Sequence, residues 1–231
     1  MRIPLYLTAL AVLAVSTAVQ AYPNLNATSG ILAVPTAVVV PVGDSQWGAD
    51  LLFQNDTTIN GRITFGLAER LEVGAGVAID GDTVLGLNGK YRLPGVIGGF
   101  NWAVGVTLIT GSDVDDGFQI YAAGTRAIPW SGSGDNSLLG TIGVSFTDID
   151  TSSAVRPFVG GQLQLGTGTE IAAEFVFETG DFDESITSLF LRHRFSDRLA
   201  GQIGFTNAFG FTGSQDHDIF IGFAITERDA L

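Results

Sequence analysis

Glu170, Glu174 and Glu178 recur at every fourth position. On a helix that spacing stacks carboxylates on one face and suggests a metal site. On a strand they share one side of the sheet but stand about 13 Å apart at a rise of ~3.3 Å per residue. That is too far to share one ion. Other chemistry-bearing residues are sparse. The chain has 2 His, His193 and His217, and no Cys, which excludes a thiolate metal site and a disulfide framework. Hydrolysis by a nucleophile needs a Ser beside a His with a third, orienting group. No such set is recognisable, so neither enzyme activity nor a cofactor is expected.

The charged residues make more sense as one face of a series of strands. Leu71, Val73, Ala75, Val77 and Ile79 alternate with Glu72, Gly74, Gly76 and Ala78. Phe100, Trp102, Val104, Val106 and Leu108 alternate with Asn101, Ala103, Gly105 and Thr107. A period of two marks a strand with one apolar and one polar face. Twelve such segments run from 45 to 226, at about 15 residues per strand and turn, which suits strands crossing a membrane obliquely. Large residues populate the apolar face of nearly every segment, as lipid contact requires. Gly, Ala, Thr and Gln crowd the polar face, as a lumen requires. The expected fold is therefore an all-β, membrane-spanning, antiparallel up-and-down barrel of 12 strands. Phe158 and Phe190 break the polar face of their strands.

Composition agrees. Of 231 residues, 45% are hydrophobic, only 15% are charged and 31 are Gly. Soluble domains carry about 25% charged residues. The first residues read as an export signal: Arg2, an apolar run from Leu5 to Val15, and the small-residue end Ala18-Val19-Gln20-Ala21. The expected domains are a cleaved signal peptide at 1–21, an N-terminal arm or plug at 22–44, the barrel at 45–226 and a tail at 227–231. The formal net charge of −13 becomes −14 once Arg2 is removed. An acidic chain of this kind is not a nucleic-acid binder, because phosphate recognition needs a basic face.

The links between strands alternate in chemistry. The odd-numbered links hold 13 acidic residues, among them Asp80, Asp82, Asp113, Asp115 and Asp116; the even-numbered links hold Glu69, Asp135 and Asp197. Links of one parity share one end of an up-and-down barrel, so the alternation supports both strand count and register. An even strand number keeps the two termini together in the periplasm and turns the acidic end outward. Asp and Gly also favour turns, which accounts for much of this rim. The five Asp residues named above are in addition candidates for divalent cations, which prefer hard oxygen ligands. Such cations would bridge the rim to lipopolysaccharide of the outer membrane.

By parity the lumen carries Asp50, Glu72, Glu170, Glu174 and Glu178 against Arg62, Lys90, Arg92, Arg156, Arg192 and Arg194. Counting from the turns places Glu72 opposite Lys90, Glu178 opposite Arg156, and Glu170 near Arg192 or Arg194. Such pairs either brace the wall or form a charged constriction that selects solutes. Residues 22–44 contain Pro35 and Pro41, which make a poor central strand. They form a periplasmic arm, or they enter the lumen.

The mature chain resembles small outer-membrane β-barrels of Gram-negative-type bacteria, of the porin-like kind. The tight hairpins around Ala68-Glu69-Arg70 and Ser196-Asp197-Arg198 are similar to periplasmic turns of that class. Gly30-Ile31-Leu32-Ala33-Val34-Pro35-Thr36-Ala37 is similar to the opening segment of YjbH-like barrels associated with exopolysaccharide secretion. The end departs from the class: Phe223 and Ile225 are followed by Thr226 to Leu231, without a terminal aromatic. The resemblance implies an outer-membrane location, contact with lipid and lipopolysaccharide, and a narrow passive channel for small polar solutes. The alternative is a non-conducting barrel serving structure, adhesion or polysaccharide export.

Overall fold

The computed structural model describes residues 28–53, 57–79, 82–112, 116–129, 137–149, 152–166, 168–177, 185–206 and 218–230. Residues 1–21, expected as a signal peptide, lie outside the described residues, as do most of the acidic links.

The chain forms strands β1 (Ser45–Phe53), β2 (Thr57–Ala68), β3 (Leu71–Ile79), β4 (Thr83–Ile97), β5 (Phe100–Gly111) and β6 (Gly117–Ile128). It continues with β7 (Ser137–Ile149), β8 (Ser152–Leu165), β9 (Thr169–Val176), β10 (Ile186–Arg194), β11 (Leu199–Thr206) and β12 (Asp218–Glu227). Each strand pairs antiparallel with its neighbours in sequence, and β1 pairs with β12 to close the barrel. The expected class and strand number are both observed. Closure leaves no unpaired sheet edge, the condition for a β-structure to lie in hydrocarbon.

Side-chain parity follows the expected register. Trp47, Leu51, Leu87, Leu108, Val155 and Ile221 all point outward and are exposed, with Leu87 reaching 60%. Large apolar side chains on the outside of a closed barrel form the lipid-facing belt of a membrane-spanning protein. The inner face carries Glu72, Lys90, Thr107, Thr125, Thr141 and Gln202, all buried.

One link is tighter than expected. From sequence, Pro94-Gly95-Val96-Ile97-Gly98 is expected to be one of the even-numbered links, but β4 continues to Ile97 and only Gly98-Gly99 turns the chain. Both glycines have positive φ, 62° and 82°, as a two-residue hairpin turn of primed type demands. The register shift between Arg92 and Val96 absorbs Pro94 as a bulge, where the missing proline N–H costs no ladder bond.

Before β1, residues 28–41 lie inside the barrel. Ile31, Leu32, Val34 and Val40 are almost fully buried. The segment folds back on itself: the Ile31 N–H donates to Val34 O at 2.9 Å and the Thr36 N–H to Ser29 O at 3.2 Å. A bridge joins Gly30 and Pro35. The result is a short hairpin with Leu32 and Ala33 at its tip. Its exit runs through Gly43, whose N–H donates to Gly66 O, and Asp44, whose carbonyl accepts from the Gly66 N–H.

Candidate functional site

The lumen wall is built from side chains that alternation turns inward, and two of its carboxylates grip the hairpin. Glu72 on β3 stands opposite Lys90 on β4 in the ladder, and the ammonium lies 2.8 Å from Oε1. Both side chains are completely buried. Glu72 also accepts from the Ser29 N–H at 2.8 Å, Thr28 Oγ1 at 2.7 Å and the Val40 N–H at 2.9 Å. Thr28 and Ser29 begin the hairpin and Val40 ends it, so one carboxylate ties both of its legs. Lys90 Nζ donates to the carbonyls of Ser29 at 2.9 Å, Thr36 at 3.2 Å and Val38 at 2.6 Å, and to the Ser29 hydroxyl. A buried ion pair is sustained only when its remaining lone pairs and protons are satisfied; here the hairpin backbone does that.

Glu174 on β9 takes the tip. It accepts from three successive backbone N–H groups, Leu32 at 3.1 Å, Ala33 at 2.8 Å and Val34 at 3.1 Å. Successive N–H groups of a tight turn make a concave cradle for an anion. Here the turn belongs to the hairpin and the anion to the wall. The middle of the hairpin is fixed by the Ala37 N–H, which donates to Thr125 Oγ1 at 2.9 Å.

A second network runs along the wall. Arg192 on β10 donates to Glu170 on β9 at 2.9 Å, to Gln202 on β11 at 3.1 Å and to the Ile31 carbonyl at 3.3 Å. Gln202 Nε2 in turn donates to Asp50 Oδ1 on β1 at 2.7 Å. Asp50 forms a buried ion pair with Arg62 on β2. The network therefore passes from β9 to β2 across the β1–β12 closure.

An apolar patch accompanies these ions. Ile31, Leu32 and Val34 of the hairpin pack with Phe158, Phe190, Phe220, Val176, Ala123 and Ala172 of the wall. Phe158 and Phe190 are the apolar residues on an otherwise polar face; strand parity turns them inward, and the hairpin supplies their apolar partners. Phe220, Leu52 and Ile186 belong to the same patch and were not singled out by pattern. Close approach is made possible by two glycines. A Cβ at Gly160 would collide with the Ile31 side chain, and one at Gly66 with the carbonyls of Val40 and Pro41.

Three further expected lumen residues, Arg92, Arg156 and Arg194, are described. Arg92 donates to the Glu69 carbonyl at 3.1 Å near the β2–β3 turn. Arg156 and Arg194 are half-buried. Glu178 lies outside the described residues. Of the candidate cation ligands, Asp82 and Asp116 are described, whereas Asp80, Asp113 and Asp115 are not. Among the described residues no three metal-type side chains come together. His193 is exposed and its Nδ1 lies 3.0 Å from Thr169 Oγ1; His217 is outside the described residues.

No protein-family model and no curated protein matches the chain. Solved structures do resemble it. The KdgM porin superposes with a TM-score of 0.63 at 11% identity, over 78% of this chain and 98% of that one. The NanC porin gives 0.56 at 8% identity, over 78% and 98%. The Acinetobacter baumannii outer membrane protein Omp33 gives 0.55 at 9% identity, over 79% and 96%. At these identities the likeness is one of fold.

Proposed function

We propose that this chain is an outer-membrane channel for small polar solutes, reached through export and removal of residues 1–21, and that residues 28–41 control how much of the lumen is open. The observation that carries this reading is a charged, hydrogen-bonding inner wall inside a belt that faces lipid. A barrel serving only as an anchor could fill its interior with packed apolar side chains. This one invests Asp50, Arg62, Glu72, Lys90, Glu170 and Arg192 in its interior. Twelve strands enclose more room than the filled eight-strand barrels and less than the sixteen-strand porins, so a narrow path suits the size. The fold likeness to proteins named as porins supports the same reading, and one of them was solved in complex with disordered oligogalacturonate.

A second reading, a non-conducting barrel with a structural, adhesive or polysaccharide-export role, draws support from the hairpin itself. Its apolar tip packs on Phe158, Phe190 and Phe220, as a permanent filling would. Planar-bilayer recording separates the two. The channel reading expects discrete conductance steps from folded wild-type protein, larger or more frequent once residues 22–40 are deleted. Silence from both proteins, each verified as a folded barrel, rules the channel out.

A further inference from the structure

We propose that the lumen wall around Glu72, Lys90, Glu174 and Arg192 is a binding site for an uncharged peptide hairpin, with residues 28–41 as its resident and exchangeable ligand. This goes beyond the channel reading and does not depend on it, because binding is read out directly.

Recognition is aimed at backbone. Residues 28–41 contain no charged side chain. The wall nevertheless meets them with four buried ions, and these contact peptide groups. Glu174 takes the N–H groups of Leu32, Ala33 and Val34, and Glu72 those of Ser29 and Val40. Lys90 donates to the Ser29, Thr36 and Val38 carbonyls, and Arg192 to that of Ile31. Hydrogen bonds to ionised groups are about twice as strong as neutral ones, and alternating donors and acceptors at this spacing match a peptide chain. The apolar patch supplies the remaining selectivity, since Phe158, Phe190 and Phe220 accept the tip side chains Ile31, Leu32 and Val34. The ligand class is therefore a neutral, tightly turned peptide with a branched aliphatic tip.

The geometry also permits exchange. Thr28, Ser29 and Val40 all reach Glu72, at the start of β3, so both legs of the hairpin leave toward the end of the barrel where β1 begins. The tip reaches Glu174, the sixth residue of β9. A hairpin inserted from one side can be withdrawn along the barrel axis without threading. The contacts that hold it run to side chains of the wall, which survive its departure. Gly43, with φ of 83°, lies between the hairpin and β1.

Two experiments decide the matter. In the wild-type protein, hydrogen exchange is measured at Leu32, Ala33 and Val34 against the paired amides of β8 and β9. An exchangeable ligand opens locally, so the tip amides exchange at least about a hundredfold faster than the strand amides; equal protection overturns the proposal. In parallel, a fluorescent synthetic peptide of residues 27–39, which lacks the Val40 and Pro41 carbonyls that a side chain at position 66 would meet, is titrated into three folded proteins in detergent. These are the wild type, a 22–40 deletion and the full-length Gly66→Val, whose new side chain meets the hairpin's exit. Saturable binding is expected for the deletion and for Gly66→Val. The wild type, whose own hairpin has the advantage of effective concentration, should bind little. Glu174→Ala in the deletion background should weaken binding about tenfold or more. If the deletion does not fold, Gly66→Val and the exchange data carry the test. Failure of the folded, hairpin-released barrel to bind the peptide overturns the proposal, whatever the conductance of the wild type.

Discussion

Asp50 on β1 and Gln202 on β11 are joined by a 2.7 Å hydrogen bond across the whole width of β12. Both register with Gly222 on the strand between them. A Cβ at that position would occupy the place of the Asp50 carboxylate. The glycine therefore lets one side chain lean over the strand that closes the barrel. Gly222→Ala should displace Asp50 from Gln202 and lower stability by about 1–3 kcal/mol through overpacking and a lost charged hydrogen bond. Thermal unfolding in detergent, followed by the loss of β-type circular dichroism, measures this. An unchanged midpoint would mean the bridge contributes nothing to closure.

Lys90 and Glu72 form a buried pair whose members also bind the hairpin. Lys90→Met leaves the Glu72 charge without its counter-ion and should cost about 3–5 kcal/mol. Adding Glu72→Gln to that variant removes the orphaned charge and should recover part of the loss. The double-mutant cycle gives the coupling. Strict additivity would show that the two groups do not act as a pair.

Phe158→Ala and Phe190→Ala each empty a space in the inner apolar patch and should destabilise by about 3–5 kcal/mol. The same truncation at Phe205, which is exposed on the lipid side, should cost much less, because detergent or lipid fills the gap. Equal losses at inner and outer positions would contradict the assignment of Phe158 and Phe190 to a packed interior.

Arg156 is half-buried on the inner face of β8, opposite Ser145. In a conducting barrel, Arg156→Glu should move the reversal potential in a salt gradient toward cation preference. Glu72→Gln, by contrast, should mainly lower stability. A reversal potential unaffected by Arg156→Glu would place that side chain off the conduction path.

Much of this organisation is legible in residue order. Alternation located all twelve strands because a one-residue slip would turn Leu51 or Val73 inward and Glu72 outward. Counting from the turns pairs Glu72 with Lys90 and puts Glu170 near Arg192 or Arg194, since directly opposed residues follow from hairpin register; the ladder sets Glu170 opposite Arg192. Asp50 and Arg62 escaped that count because their pairing is diagonal. Asp50 registers with Asn60, and Arg62 with Gly48, whose missing side chain gives the guanidinium room to reach along the wall. The hairpin was harder to read. Pro35 and Pro41 ruled out a central strand but left an arm and a lumenal position equally open. Its recognition depends on backbone groups, which every sequence possesses. The signal lay elsewhere, in Phe158 and Phe190, two large apolar residues on a polar face with no visible partner until Ile31 and Leu32 supplied one.

The inner apolar patch also gives this membrane protein a response to temperature. The outer belt trades one hydrocarbon neighbour for another and gains little from water. The contact between Ile31, Leu32 and the inner phenylalanines is different: were the hairpin to withdraw, water would replace it. Hydration of apolar surface carries a large heat-capacity change, and the stabilisation it supplies fades on cooling. Cooling should therefore weaken the seating of the hairpin's apolar tip more than it weakens the hydrogen-bonded strand ladder.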